Sequence, residues 1–288
     1  MRLTTDTFPK KKQRSAEEKT TMQPFRRLSI GINGNETEPS FTGWSMQTVT
    51  FLVSLIVQAA TMIVTAVAFS RELADVLKTI VTLELVVQII EFAWYSIIGL
   101  VWCRGTDVKI AWRYFDWFFT TPTMLISLLF FVLWLNDNCI TNAHLFDHHF
   151  DVVILVIILF DWLMLLIGFS YEIKWNNFDI IKHCCFDRLG GKSLGVVALI
   201  GAFAPIFIVA LQHFSYSGAA ITTITFVLWL YYGIVALMIE DEEPRNTAYN
   251  VLDVLSKNVM GVVISIVAMQ RTKETQDMCL STNYASTH

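Results

Sequence analysis

The fold is decided by the stretch YNVLDVLSKNVMGVVISIVAM, which runs from Tyr249 to Met269. It is long and apolar enough to cross a bilayer as a helix, which takes about 20 residues, yet it contains Asp253 and Lys257. Each charge in mid-membrane costs about 2.5–3.5 kcal/mol on insertion scales unless it is paired or faces a polar cavity. Because residues four apart share one helix face, the two can form a buried structural ion pair. The alternative is a reactive amine that forms a Schiff base with an aldehyde, with Asp253 as its counterion.

The composition is that of an integral membrane protein. Of the 288 residues, 54% are hydrophobic and 13% aromatic, and the mean hydropathy is +0.51. Seven apolar segments can each span a bilayer: 44–69, 74–101, 108–134, 150–172, 191–214, 218–239 and 247–269. The alternating pattern of a membrane β-barrel is absent from them, so helices remain the way to satisfy the backbone. We therefore predict an all-α membrane protein, a seven-transmembrane-helix bundle over residues 44–271, with a polar, flexible N-terminal tail (1–43) and a C-terminal tail (272–288).

Charge and cysteine content narrow the function only slightly. The formal charge of −4 is summed over two aqueous faces, and no basic domain indicates nucleic-acid binding. The five cysteines are an odd number without the spacing of metal ligands, and the adjacent Cys184 and Cys185 make a poor disulfide pair. We expect mostly structural thiols and predict no metal site.

The second apolar segment carries a row of polar residues. Glu84, Gln88, Glu91 and Tyr95 stand at i, i+4, i+7 and i+11, so all four lie on one face of a helix. Two carboxyl groups separated by a glutamine can outline a hydrated file for protons or cations. They can also form a structural polar network, and both interpretations stay open at this point.

The third apolar segment has its own polar side. Arg113, Asp116, Thr120 and Ser127 stand at i, i+3, i+7 and i+14 within AWRYFDWFFTTPTMLISLLFF. Together with DVLSK, which ends at Lys257, the string RYFDWFFTTP closely resembles the microbial (type 1) rhodopsins. The resemblance extends from the second segment to the seventh. It implies a bundle with retinal bound inside it, and a photoreceptor rather than an enzyme.

Five residues take their expected roles from this resemblance. Lys257 corresponds to the lysine that carries all-trans retinal, covalently bound as a protonated Schiff base. Asp116 corresponds to the primary counterion and proton acceptor, and Asp253 to the second counterion. Arg113 corresponds to the arginine beneath the pair, and Thr120 to the threonine that hydrogen-bonds the acceptor.

The resemblance also implies a retinal pocket and shows where this chain departs from the family. The expected pocket residues are Trp117, Met124, Asp161, Met164, Gly168, Trp229 and Tyr232. Gly233 and Ala236 replace a proline and a second tryptophan, so the pocket should be looser on this side. Ser127 occupies the position where outward proton pumps usually have a carboxylic donor. Because a serine has no proton to give near neutral pH, this replacement weakens the interpretation as a pump.

A narrower resemblance concerns the ion path. Glu84, Glu91 and Asn250 resemble residues that line the path of channelrhodopsins, and more closely those of rhodopsins encoded by giant viruses, which share the Asp-Thr-Ser motif. This favours a light-gated cation channel, with a light-driven outward proton pump as the alternative and a sensory rhodopsin third. The expected partners are membrane lipid and protons or small cations, and assembly into a homo-oligomer stays open.

Two rules disagree about the orientation in the membrane. The family topology places the N terminus outside and the C terminus inside. This puts eight lysine and arginine residues of the tail outside, and leaves inside Arg71, Lys78, Arg271 and Lys273. The positive-inside rule favours the reverse. Because residues far from a span contribute little to that rule, we keep the family orientation.

Overall fold

The computed structural model describes residues 45–105, 109–146, 148–172, 188–212 and 216–286. The predicted N-terminal tail at 1–43, and Cys184 and Cys185, lie outside these residues. The spanning helices are α1 Met46–Phe69, α2 Asp75–Cys103, α3 Arg113–Asn136, α4 His148–Glu172, α5 Arg188–Gln212, α6 Tyr216–Met238 and α7, which begins at Glu242. A 3-10 turn, Ile110–Trp112, precedes α3, and a short helix, Asn142–Leu145, precedes α4. All regular elements of the described residues are helical, and seven are long and apolar enough to cross a membrane, so the predicted fold class is confirmed.

The last helix differs from its prediction at both ends. It begins at Glu242 rather than at residue 247, with Glu242 and Glu243 in its first turn, where carboxylates interact favourably with the helix dipole. It continues to Ser286, well into the segment predicted as a C-terminal tail. Thr272 and Thr275 on this extension are buried. The extension is therefore held against the rest of the bundle.

A local irregularity of α7 surrounds the lysine of the opening stretch. The helix is regular over Glu242–Asp253, π-helical over Val254–Asn258, and regular again over Val259–Ser286. A π-helical turn changes the direction in which successive side chains point, and such turns are frequent at functional sites. It places Lys257 and its neighbour toward the interior, where both are buried.

The bundle is centred on α3. This helix contacts α2 on one side and α4, α5 and α6 on the other. Its residues Leu125, Leu129 and Phe130 are almost fully buried in the largest apolar cluster. On the other side, α1, α2 and α7 pack against one another, and most of the buried polar side chains come from these three helices, although the apolar cluster also includes Leu77 and Ile80 of α2.

The expectation of structural thiols is wrong for two cysteines. Cys139, in the connection after α3, forms a disulfide with Cys279 on the extension of α7. The two are 140 residues apart in sequence, and their α-carbons are 5.4 Å apart. Cys103, at the end of α2, is an exposed free thiol. Spacing along the chain could not reveal the pair, because it depends on which helix ends meet at the membrane surface.

Candidate functional site

The amine of Lys257 lies among three carboxylates in the middle of the bundle. Its Nζ atom is 2.7 Å from Oδ2 of Asp116, 3.6 Å from Oδ1 of Asp253 and 3.7 Å from Oε1 of Glu91. The lysine side chain is 2% exposed. The predicted counterions therefore both face the lysine, and Glu91 is a third carboxylate that the sequence had placed only in an ion path.

A second charged group fixes Asp253 in place. Arg113 Nη1 donates to Asp253 Oδ2 at 2.9 Å and to the Tyr95 hydroxyl at 2.6 Å. The same Asp253 oxygen accepts from Tyr95 at 2.5 Å, and Oδ1 accepts from the Tyr232 hydroxyl at 2.8 Å. Hydrogen bonds in which a partner is charged are stronger than those between neutral groups. Asp253 is thus held from both of its oxygens.

The first counterion is held much less firmly. Asp116 Oδ2 accepts from Lys257, whereas Asp116 Oδ1 is buried and has no hydrogen-bond partner among the described residues. Thr120 Oγ1 donates at 3.0 Å to the backbone carbonyl of Asp116 and not to its carboxylate. The expected hydrogen bond from Thr120 to the acceptor is therefore absent here, because the threonine hydroxyl bonds back to the carbonyl one turn earlier, a common alternative within helices.

The polar row on α2 faces the interior along its whole length. Glu84, Gln88, Glu91 and Tyr95 are all buried. Glu84 Oε1 accepts a 2.5 Å hydrogen bond from Ser127 on α3. The serine at the donor position is therefore paired with a carboxyl group from another helix.

One residue that the sequence reasoning missed connects this row to the lysine. Asn258 Nδ2 donates to Gln88 Oε1 at 2.8 Å and to Glu91 Oε2 at 3.3 Å. Gln58 of α1 donates to Glu91 Oε1 at 3.1 Å. Four polar side chains from three helices thus close the interior at the level of Lys257. The recurrence of Gln58 on the polar side of α1 was a usable signal, whereas the placement of Asn258 depends on the π-helical turn.

Asn250 lies apart from the two glutamates with which it was grouped. Its side chain accepts from Arg113 and donates to Thr50 Oγ1 at 3.0 Å, and its carbonyl accepts from Ser54 at 3.1 Å. It joins the polar row through Arg113 and Tyr95. The polar groups therefore follow one another in the order Glu84, Gln88, Glu91, Tyr95, Arg113 and Asn250, in three hydrogen-bonded groups.

A cavity of about 940 Å³ lies on the other side of Lys257. The predicted pocket residues in its wall are Trp117, Met124, Met164, Gly168, Trp229 and Tyr232, together with Lys257 itself. Asp161 is not in the wall, a correction to its predicted place. It lies behind Thr121, from which its Oδ2 accepts at 2.7 Å.

Part of the wall of this chamber is formed by exposed residues of α6. Gly233 and Ala236 both line it, and a Cβ atom added at Gly233 would meet nothing within 4 Å. An elongated apolar molecule with an aldehyde next to Lys257 Nζ fits most of this wall, which is aromatic and aliphatic, with charged residues such as Glu240, Asp241 and Glu242 toward the N-terminal end of α7. The residues present therefore suit retinal.

An ion pair lies where the chamber approaches the N-terminal end of α7. Arg245 Nη1 is 3.1 Å from Glu172 Oε1 at the end of α4, and both residues line the chamber. Burial raises the pKa of Glu172 above its usual value, an effect that Arg245 opposes and Glu242 reinforces. The pair links α4 to α7 across the end of the chamber.

The sequence matches a known protein family. A family profile described as "Bacteriorhodopsin-like protein" matches residues 45–270, a range that contains the lysine, the carboxylates around it and the chamber. A comparison with curated proteins found no match.

Solved structures share the fold over most of the chain. The crystal structure of viral rhodopsin OLPVRII is 21% identical, with a TM-score of 0.64, and covers 78% of this chain and 98% of its own. The light-driven proton pump Coccomyxa subellipsoidea rhodopsin CsR is 19% identical, with a TM-score of 0.55 and coverages of 77% and 96%. Halorhodopsin, a light-driven chloride pump, is 17% identical, with a TM-score of 0.57 and coverages of 80% and 97%. At these identities the similarity shows the fold alone, and the two pumps carry different ions.

Proposed function

Because the chain belongs to the bacteriorhodopsin-like family of microbial (type 1) rhodopsins, we propose that it is a photoreceptor that moves ions across its membrane on illumination. The protein is an integral multi-pass membrane protein with seven spans. Members of the family bind retinal and are transporters or receptors, not enzymes. The proposal assigns all-trans retinal, covalently bound as a protonated Schiff base, to Lys257 and the chamber beside it.

The carboxylates around Lys257 differ in what they can do. Bound retinal supplies the absorption of light and a change of shape. Asp253 is held by Arg113, Tyr95 and Tyr232, so it serves as a fixed negative charge. Asp116 is 2.7 Å from the lysine nitrogen and has an oxygen without a partner among the described residues, so it is the better proton acceptor.

The ion movement we favour is conduction of cations through the polar row on α2. The observation that carries this proposal is the row of buried polar residues on one face of α2, from Glu84 to Tyr95, in a helix that packs against α1 and α7. The hydrogen bonds among Gln58, Glu91 and Asn258 close this route at the level of Lys257 in the structure. Glu91 also faces Lys257 at 3.7 Å. A movement or a change of charge at Lys257 would therefore act directly on Glu91 and on the hydrogen bonds that close the route. Gating by light requires such a coupling.

An outward proton pump is the second candidate, and one contact favours it. The 2.5 Å hydrogen bond between Ser127 and Glu84 places a carboxyl group beside the usual donor position. Glu84 could then return a proton to the lysine nitrogen after Asp116 has taken one. Ser127 stands where outward pumps usually have a carboxylic proton donor on α3. With this contact, a pump could use a donor on α2 instead.

Three finer proposals depend on the sequence pattern more than on these contacts. The combination of Asp116, Thr120 and Ser127 with the glutamates of α2 favours the group of rhodopsins found in giant viruses. The family topology favours an N terminus outside and a C terminus inside. Protons or small cations are the expected ions, and association of identical subunits is left open.

Voltage clamp of the retinal-reconstituted protein tests the proposal. A photocurrent that reverses sign with voltage, at a potential that follows the sodium or proton gradient, is expected for a channel. Glu91→Gln should then change the conductance by about tenfold, which corresponds to a barrier change of about 1.4 kcal/mol, or should shift the reversal potential. Asp277→Asn is the control, because Asp277 is an exposed residue outside the polar row and should leave both unchanged.

Two other results would contradict parts of the proposal. An outward current that keeps its sign at every voltage, with Glu91→Gln nearly unaffected and Glu84→Gln much slower, would exclude the channel in favour of the pump. Lys257→Ala should abolish the visible absorption band completely. A band that survives this substitution would contradict the assignment of retinal to Lys257.

A further inference from the structure

A disulfide joins two parts of the chain that lie on the same face of the membrane. Cys139 follows α3, and Cys279 lies on the extension of α7. Because successive spans alternate in direction, α3 and α7 both end on the C-terminal face. The free thiol of Cys103 ends α2 and so lies on the opposite face.

The connection that carries Cys139 is anchored to the bundle by other contacts. Asn142 Oδ1 accepts from Thr79 Oγ1 of α2 at 3.0 Å, and Asn142 Nδ2 donates to the Asp75 carbonyl at 3.4 Å. Leu145 of the same connection is fully buried in the apolar core. The disulfide therefore ties the extension of α7 to a fixed point on α2 and α3.

A second cavity, of about 430 Å³, lies beside the disulfide between α3, α6 and α7. Asn138 and Met278, the neighbours of the two cysteines, are part of its wall. Arg271 and Glu274 also line it, and their side chains are 60% and 62% exposed, so the cavity reaches the surface. Phe131, on its inner side, is one helical turn beyond the serine that pairs with Glu84.

We propose that the disulfide between Cys139 and Cys279 is a reversible clamp that limits access of water through this cavity toward Ser127 and Glu84. Opening the clamp frees the extension of α7 and speeds the recovery of the pigment after a flash. With the C terminus inside, the clamp faces a reducing compartment, where disulfides are usually transient and regulatory. The inference rests on the proposed function in requiring a light-driven cycle and on the proposed orientation in placing the disulfide inside, and it applies to a channel and a pump alike.

The chemistry of opening is thiol–disulfide exchange with a cellular dithiol of the thioredoxin class. A thiolate of the dithiol attacks one sulfur of the pair, the S–S bond breaks, and the other cysteine leaves as a thiolate and takes up a proton. The second thiol of the reductant loses its proton and attacks the mixed disulfide. This step releases the remaining cysteine as a thiol and leaves the reductant as a disulfide. An oxidised dithiol of the same class closes the clamp by the reverse steps.

Flash photolysis of the full-length, retinal-reconstituted protein in lipid nanodiscs tests the clamp before and after treatment with dithiothreitol. Reduction should speed recovery by about fivefold or more, the lower end of typical couplings between sites. Cys139→Ser and Cys279→Ser should recover at the reduced rate whether or not dithiothreitol is added. Cys103→Ser is the matched control, because it removes a thiol on the opposite face and should behave as the wild type in both states.

A second measurement needs no pigment and so separates the clamp from the proposed function. Ile221→Cys places a thiol at a partly buried position of the cavity wall, and its reaction with a water-soluble maleimide is followed on the peptide that contains it. In a Cys103→Ser background, adding Cys139→Ser and Cys279→Ser should speed this reaction by about fivefold or more. Equal rates with and without the clamp would overturn the proposal. So would failure to find the linked cysteine peptides in the oxidised protein, or equal recovery rates in the oxidised and reduced pigment.

Discussion

The two halves of the interior are filled in opposite ways. Between α1, α2 and α7, polar side chains occupy the space, although Gln58 Oε1 and Asn258 Oδ1 have no hydrogen-bond partner among the described residues. Gln58, Gln88, Glu91 and Asn258 are fully buried, and hydrogen bonds connect them. A methyl group on Gly261 would lie 2.8 Å from Gln88 Nε2, so no free volume remains beside that glycine.

On the side of α4, α5 and α6, the interior is partly empty and mostly apolar, with charged residues at the end near the start of α7. The chamber of about 940 Å³ lies here, and a Cβ atom at Gly233 in its wall would meet no neighbour within 4 Å. Hydrogen bonds are directional and fix positions, whereas apolar contacts tolerate displacement. The comparison indicates that the charges at Lys257 are held in place by one half, while the other half leaves room for a bound molecule to change shape.

The largest expected effect comes from breaking the ion pair at the boundary of the two halves. Arg113→Gln removes the closer of the two cations beside the buried Asp253 and leaves Lys257 as the other, and breaking a buried ion pair costs about 3–5 kcal/mol. We expect a large fall in the midpoint of thermal denaturation of the solubilised protein, followed by circular dichroism. Arg271→Gln is the control, because it breaks an exposed pair with Glu274 that contributes about 0–1 kcal/mol. Equal midpoints for the two variants would mean that Arg113 does not hold the polar half together.

A smaller effect tests how tightly the polar half is packed. The added methyl of Gly261→Ala would lie 2.8 Å from Gln88 Nε2 and 3.1 Å from Glu84 Oε2, so both side chains must shift. Overpacking of this kind costs about 1–3 kcal/mol. The same thermal measurement should show a clear loss, and the photocurrent should change because the displaced residues belong to the polar row. A variant as stable as the wild type would show that the row adapts freely.

Much of this contrast was predictable from helical periodicity. The spans, the buried face of α2 and the meeting of Lys257 with Asp253 follow from which residues share a helix face. The position of Asp116 opposite Lys257 was predicted from a family resemblance. In the structure, Asp116 Oδ2 is 2.7 Å from Lys257 Nζ. A looser pocket beside Gly233 stays a prediction from the same resemblance, because a glycine replaces a proline there.

The remaining features depend on how helices are placed against one another. The pairing of Ser127 with Glu84 requires a particular height of α2 against α3, which the sequence of neither helix specifies. Asn258 directly follows Lys257, and neighbours in a regular helix point about 100° apart, so its contact with Glu91 needed the π-helical turn. Thr120 bonds to a backbone carbonyl, a choice between two acceptors that only coordinates can decide.

The smallest expected effect is a gain in stability, and it comes from a substitution on the side of α4, α5 and α6. Gly233→Ala adds a methyl group where nothing lies within 4 Å, so it introduces no clash. Alanine favours the helix over glycine, and a compatible substitution of this kind stabilises by about 0.4–1 kcal/mol. The midpoint of thermal denaturation should therefore rise slightly, while Gly261→Ala lowers it.

Gly233→Ala and Gly261→Ala make the same chemical change in two helices, so both gain the same helix propensity. The difference between their denaturation midpoints therefore reports packing. The pigment adds a second comparison. If the chamber holds retinal, the methyl group of Gly233→Ala lies in its wall and should shift the absorption maximum slightly, with Lys257 and its counterions untouched. A loss of stability as large as that of Gly261→Ala would mean that the wall at Gly233 is closely packed, and the contrast between the two halves would fail at this position.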